Sequence, residues 1–261
     1  MTKTQRTDSI PDYERYDYSV VWRRRGIEDG AEKAVVSRWA AGRTGIELAG
    51  GFGRLTEVIE KKVGRMFMLD YSLSNLERAS ERLRATTLVR APMDELPFDD
   101  SVFDFVALVR AIHHVPEPDA VLDEVVRVAR DGATFVLGIA NGGTGRESSF
   151  VTVTADGHRI YSTPLLRFDR EGLERVEVRG VGAFDNALGR RLERLAPLSK
   201  LDVETSRLWP VKPMLFVRYR VRKEPGENEP VVRCRCGGAV LAGRCEACGR
   251  SYGRIVDLVG P

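Results

Sequence analysis

Between positions 44 and 140 apolar residues come in short runs of strand length, separated by longer stretches in which they recur every three or four residues. The runs at 45–49, 66–70, 87–90, 103–109 and 134–140 predict strands. Between them Leu55, Val58 and Ile59, then Leu76, Ala79 and Leu83, then Val121, Leu122, Val125 and Val128 share helical faces. This alternation predicts an α/β domain on a parallel sheet. A helix is expected over 27–41, and the aromatic residues Tyr13, Tyr16, Tyr18 and Trp22 precede it as a segment suited to covering a pocket. Beyond Asn141 the string Gly142, Gly143, Thr144 and Gly145 breaks regular structure, and β-prone residues resume at 148–154. A helix and strand over 169–183, an amphipathic helix over 186–195 and a strand over 214–221 follow. The stretch 223–230, with three Glu, two Pro and a Gly, reads as a linker.

With 261 residues, 43% hydrophobic and 30% charged, the chain has enough apolar surface for one substantial core and an appendage. No run approaches the ~18 uncharged apolar residues of a membrane span, and the polar start lacks the apolar centre of a signal peptide, so a cytoplasmic protein is expected. The net charge of +3 hides an asymmetry: residues 1–164 hold 22 Lys/Arg against 25 Asp/Glu, and residues 165–261 hold 19 against 13. A basic C-terminal part suits RNA or another acidic partner, but arginines solvating ordinary helix faces are the favoured explanation. All four cysteines fall within the last 28 residues, which in a reducing compartment reads as metal binding rather than disulfides.

The first predicted strand runs into Glu47, Leu48, Ala49, Gly50, Gly51, Phe52 and Gly53, and a helical run follows from Arg54. Glycines there let backbone approach a ligand closely, and the helix start behind them offers unpaired N–H groups. The next strand ends in Asp70, 17 residues after Gly53, where a carboxylate is placed to accept both ribose hydroxyls of an adenosine. A dinucleotide site wants a third glycine where Thr56 stands, which argues against NAD or FAD.

The run Glu47 to Arg54 resembles the acidic, glycine-rich turn of class I S-adenosylmethionine-dependent methyltransferases, with Ala49 at the first glycine. Leu96, Pro97 and Phe98 with Phe103 and Asp104, then Ile112, His113, His114 and Val115, then Glu124, Arg127, Val128, Asp131 and Gly132 resemble three further segments of the type 11 branch, in its order. Trp22 and the triplet Asp70, Tyr71 and Ser72 also match that branch. The resemblance covers residues 44–140 and implies a Rossmann-like, seven-stranded, mostly parallel sheet with flanking helices. It implies that Glu47 and the backbone of Ala49, Gly50, Gly51 and Gly53 hold the methionine part, that Asp70 holds the ribose, that Met93 and Asp94 lie by the adenine, and that Tyr71 and Arg110 belong to the cofactor-binding set. Many relatives have an acid where Pro92 stands, so the adenine amino group is left to Asp94 or a backbone carbonyl.

Methyl transfer from a sulfonium needs alignment and exclusion of water, and a base only for a protonated acceptor. His113 and His114, where the fourth strand opens, are the candidate base; shaping the pocket or capping the next helix is the alternative. Arg110 is expected to pair with Glu47 or to reach an anionic substrate. Tyr18 and Trp22 either sandwich a planar substrate or anchor the N-terminal segment.

Cys234 and Cys236, eight intervening residues, then Cys245 and Cys248 form a four-thiolate set suited to structural zinc, with Gly237, Gly238 and Gly249 permitting tight knuckles. The tail is similar to short zinc ribbons at the ends of some methyltransferases and in small activator proteins. The expected organisation is an N-terminal lid and helix at 1–43, an S-adenosylmethionine-binding domain at 44–222, a linker at 223–230 and a zinc-ribbon-like module at 231–261. A small-molecule acceptor is favoured; RNA docked through the ribbon, or a non-catalytic scaffold whose ribbon binds a protein partner, are the rivals.

Overall fold

The structure is a computed structural model and describes residues 14, 17, 19–115, 118–141, 150–153, 159–162, 165–184, 187–192 and 197–259. Tyr13, Tyr16 and Tyr18, the glycine string after Asn141 and the end of the helix expected at 186–195 lie outside the described residues.

Helices α1 (Ser19–Trp22) and α2 (Gly26–Trp39) precede the first strand. The alternating body follows as β1 (Gly42–Leu48), α3 (Thr56–Ile59), β2 (Val63–Asp70), α4 (Leu73–Arg82), β3 (Thr87–Arg90), β4 (Phe103–Val109), α5 (Pro118–Val128) and β5 (Ala129–Ala140). A hairpin of β6 (Phe150–Val153) and β7 (Arg159–Ser162) leads to β8 (Leu173–Val181), α6 (Ala187–Leu192), α7 (Leu198–Glu204) and β9 (Met214–Val221). The tail adds β10 (Val232–Arg233), β11 (Ala239–Leu241), β12 (Arg244–Cys245) and β13 (Ile255–Asp257).

The main sheet has the order β13-β3-β2-β1-β4-β5-β9-β8. β1 pairs in parallel with β2 and β4, and β9 runs antiparallel between β5 and β8. Alternate residues feed the two faces, as a pleated strand requires. Ile46, Leu48, Val106 and Leu108 join the cluster under α5, whereas Phe105, Ala107 and Val109 join Val35, Val36 and Trp39 of α2. Burial on both faces explains why the central strands are continuous apolar runs rather than alternating ones.

The seven strands expected for the catalytic sheet are present, and β13 of the tail extends it by an eighth. Ile255, Val256 and Asp257 pair in parallel with Leu88, Val89 and Arg90. Val232 and Val256 are buried in the sheet's own core, and the Arg233 N–H donates to the Pro97 carbonyl at 2.7 Å. The stretch 223–230 has no helix or strand, yet it is pinned: Lys223 Nζ donates to the Val126 and Arg127 carbonyls, and Asn228 Nδ2 to the Asp100 carbonyl. Among the described residues no helix is long and apolar enough to cross a membrane.

Candidate functional site

Strand order reverses at β1, which has β2 on one side and β4 on the other, and such a switch point opens a crevice at the strands' carboxyl ends. The chain leaves β1 there in a turn that glycine and left-handed backbone make possible. Gly50 has no room for a side chain, because a Cβ would lie 2.5 Å from Met68 Cγ. Gly51 has φ +57° and faces open space, so its backbone is bare toward the crevice. Ala49 holds φ +52° in the position of the expected first glycine, a conformation that costs an alanine about 1–2 kcal/mol.

The crevice is a cleft of about 1000 Å³ counting its open mouth. Of the residues singled out from sequence, Glu47, Ala49, Gly50, Gly51, Asp70, Tyr71, Met93, Arg110 and His114 line it. Gly53, Asp94 and His113 are outside its lining. Gly53, at φ +80°, serves packing instead, since a Cβ there would meet Leu83 at 2.7 Å. The wall expected to involve Asp94 is made by Ala91, Pro92 and Met93.

Asp70 ends β2 and is buried. One carboxylate oxygen accepts the Gly51 N–H at 2.7 Å and the other the Ser72 N–H at 2.9 Å, which ties the second strand's end to the glycine turn. Burial raises its pKa to about 6, against the lowering effect of those two N–H donors. Glu47 is likewise raised to about 7 by burial, although the Thr56 hydroxyl donates to it and Arg54 is nearby. Thr56 therefore has a use at the position where a dinucleotide fold would need glycine.

Arg110 does not pair with Glu47. Its Nε donates to Glu32 at 2.8 Å and its Nη2 to Glu28, both from α2. Arg54 joins the same network through Asp29 at 2.7 Å and Glu32 at 2.5 Å. The Arg54 guanidinium lies 3.5 Å from the Trp22 ring centroid, so Trp22 reaches the cleft with this cation stacked on it. α2 supplies the acids, because the buried Arg54 and the partly buried Arg110 guanidinium groups need paired carboxylates there.

After β4 the chain makes a 3-10 turn, Ile112–His114. His114 is buried against the cleft, whereas His113 turns aside with its Nδ1 buried and unpaired among the described residues. Burial, then the neighbouring His114 and Arg110, lower the His113 pKa to about 3, which keeps that ring neutral. Sequence reading passed over Arg54, Leu55, Val109 and Asn75 as cleft residues. For Asn75 a signal existed: a polar residue one turn before Ala79 on the inward face of α4.

The tail brings the four cysteines together, with all Sγ atoms within 4.8 Å of one another. Cys234 and Cys248 are 3.7 Å apart and Cys236 and Cys245 3.4 Å apart. A tetrahedral zinc with Zn–S bonds of about 2.3 Å requires S···S separations of roughly 3.8 Å, so the donor set fits that ion. Gly237 at φ +84° and Gly249 at φ +73° turn the two knuckles, and the Cys248 N–H points at Cys245 Sγ.

Residues 46–137 match the family described as a methyltransferase domain. That segment is therefore similar to methyltransferase domains. Over 100 residues it is 32% identical to a demethylmenaquinone methyltransferase of Clavibacter sepedonicus, covering 37% of this chain and 41% of that protein. Over 141 residues it is 29% identical to a demethylmenaquinone methyltransferase of Staphylococcus aureus, covering 51% of this chain and 54% of that one. The chain thus spans about half the length, or less, of these curated relatives. Among solved structures, the fold is similar to an S-adenosylmethionine-dependent methyltransferase of Thermotoga maritima, with a TM-score of 0.57 and 20% identity over 80% of this chain and 97% of that one. It is also similar to a chain of the complex between the Haloferax volcanii Trm112 methyltransferase activator and a methyltransferase, with a TM-score of 0.57 and 21% identity over 79% of this chain and 96% of that one. The matched segment lies in the sheet's parallel half, from β1 into β5, and includes both the glycine turn and Asp70.

Proposed function

We propose that this chain is an S-adenosylmethionine-dependent methyltransferase acting on a small, largely apolar acceptor, with a structural zinc in its tail. The observation that carries the reading is the pairing of the bare Gly51 turn with the buried Asp70 carboxylate at the switch point, inside the segment that matches the methyltransferase family. When bound, S-adenosylmethionine supplies an electrophilic sulfonium methyl. The protein's own residues then have five tasks. The turn 49–53 receives the amino-acid end through backbone, and Asp70 accepts ribose hydroxyls. Ala91, Pro92 and Met93 back the adenine with apolar surface. Leu55, Val109 and Trp22 exclude water from the reacting centre. His114 faces the same space and orients the acceptor or takes its proton.

The acceptor class follows from the mostly apolar cleft wall and from the curated relatives, whose names specify a demethylmenaquinone substrate. We read 44–222 as the catalytic unit and 231–261 as a zinc ribbon built onto its sheet edge. The test is transfer of tritiated methyl from S-adenosylmethionine into fractionated cell extract. Label in the organic-extractable fraction supports the proposal. Label confined to RNA overturns the acceptor class, and no label in any fraction overturns the enzyme.

A further inference from the structure

We propose that Asn75 is a cofactor-binding residue whose side-chain oxygen accepts a hydrogen bond from a ribose hydroxyl. The inference rests on the S-adenosylmethionine reading above and adds a residue that neither the glycine turn nor the family's motifs supply. Asn75 sits in the first turn of α4, is 5% exposed and lines the cleft. Its Oδ1 is buried and has no hydrogen-bond partner among the described residues. Buried amide oxygens are almost always paired, so one left open in a cleft wall marks a place where a ligand donor belongs.

The surroundings say which donor. One turn further along α4, Ala79, and past its end Leu83, pack over Gly53, so the inward face of this helix covers the glycine turn. Asn75 therefore stands beside that turn together with Asp70. The N–H groups that open α4 are already used: those of Leu73 and Ser74 donate to the Glu14 carboxylate at 2.6 and 2.9 Å, and that of Asn75 to Ser72 Oγ at 3.2 Å. The helix start therefore has no free backbone N–H to offer a ligand, which disfavours a phosphate, and the open Oδ1 acceptor suits a hydroxyl. Each Asp70 oxygen already accepts one backbone N–H. Sharing the two ribose hydroxyls between Asp70 and Asn75 gives each an acceptor without crowding both onto one carboxylate. An apolar side chain at this position would leave one hydroxyl unpaired.

The experiment titrates S-adenosylhomocysteine and its 2′-deoxy and 3′-deoxy analogues into wild-type protein, Asn75→Leu and Asn75→Ala by calorimetry. The α4 cap uses the Asn75 backbone N–H, so both variants keep the helix start; the smaller one serves if leucine is not accommodated. Both should bind S-adenosylhomocysteine about tenfold more weakly, about 1.4 kcal/mol. Toward one of the two deoxy analogues they should match wild type, because the partner hydroxyl is already missing. Unchanged affinity for S-adenosylhomocysteine in the variants, or an equal loss toward all three ligands, overturns the assignment and leaves Asn75 a packing residue. Failure of wild-type protein to bind S-adenosylhomocysteine at all is a different result and overturns the cofactor reading beneath it.

Discussion

Replacing Asp70 with Asn separates the carboxylate's part in the fold from its part in ligand binding. In the folded chain burial raises its pKa from 3.8 to about 6. The folded state therefore holds this proton more tightly than the unfolded chain does. The associated stability is fully present below pH 4 and drains away as pH rises through about 6, with a full cost of roughly 3 kcal/mol at 1.36 kcal/mol per pH unit. Asn abolishes that drain, but its single amide oxygen accepts from only one of the Gly51 and Ser72 N–H groups, and the other loses about 1–3 kcal/mol. The two effects nearly cancel, so the ligand-free melting temperature at pH 8 should move little. Ligand affinity should behave differently. At pH 5 only about a tenth of wild-type Asp70 is ionised, so S-adenosylhomocysteine binding should weaken by up to about tenfold between pH 8 and pH 5. Asp70→Asn should bind at least about tenfold more weakly at pH 8 and change much less over the same range. Glu47, raised to about 7 chiefly by burial, titrates in both proteins and shifts down in the variant as the Asp70 charge is lost, so the difference between their pH profiles reports Asp70 together with its coupling to Glu47. Calorimetry at pH 5, 6, 7 and 8 reads it, and parallel profiles would refute the argument.

Elemental analysis should find about one zinc per chain, and chelation should raise hydrogen exchange from about 231 onward and at Leu88 to Arg90, which pair with β13. Arg90 links the tail's Asp257 to the Tyr71 carbonyl, but Glu14 also holds it, so chelation should change S-adenosylhomocysteine affinity by less than about threefold. Ala49→Gly should raise thermal stability by up to about 1 kcal/mol, because glycine relieves the φ of +52°; a lower melting temperature would show that the alanine methyl is needed. His114→Ala should lower turnover more than cofactor affinity, and equal activity would make it a packing residue.

The parallel half of the sheet was legible because its strands are buried on both faces and spell themselves as apolar runs; β3, β4 and β9 have the expected limits. The helix expected from Arg54 is shorter, only Thr56–Ile59, with Leu55 and Glu60 as its flanking caps. β13 was not legible. Three residues carry no period, and their strand exists only because β3 leaves an open edge. Within the site, the glycine turn and Asp70 were readable from spacing. The partners of Arg110 were not, since Glu28 and Glu32 are 82 and 78 residues away in sequence and meet it only through packing of α2.

The central claim is that the cleft at the β1/β4 switch point holds S-adenosylmethionine. Calorimetric titration of the full chain with S-adenosylhomocysteine, with NAD as competitor, tests it most directly. One site per chain, with an affinity that NAD does not alter, is the expected result. Tight NAD binding together with no affinity for S-adenosylhomocysteine would contradict it.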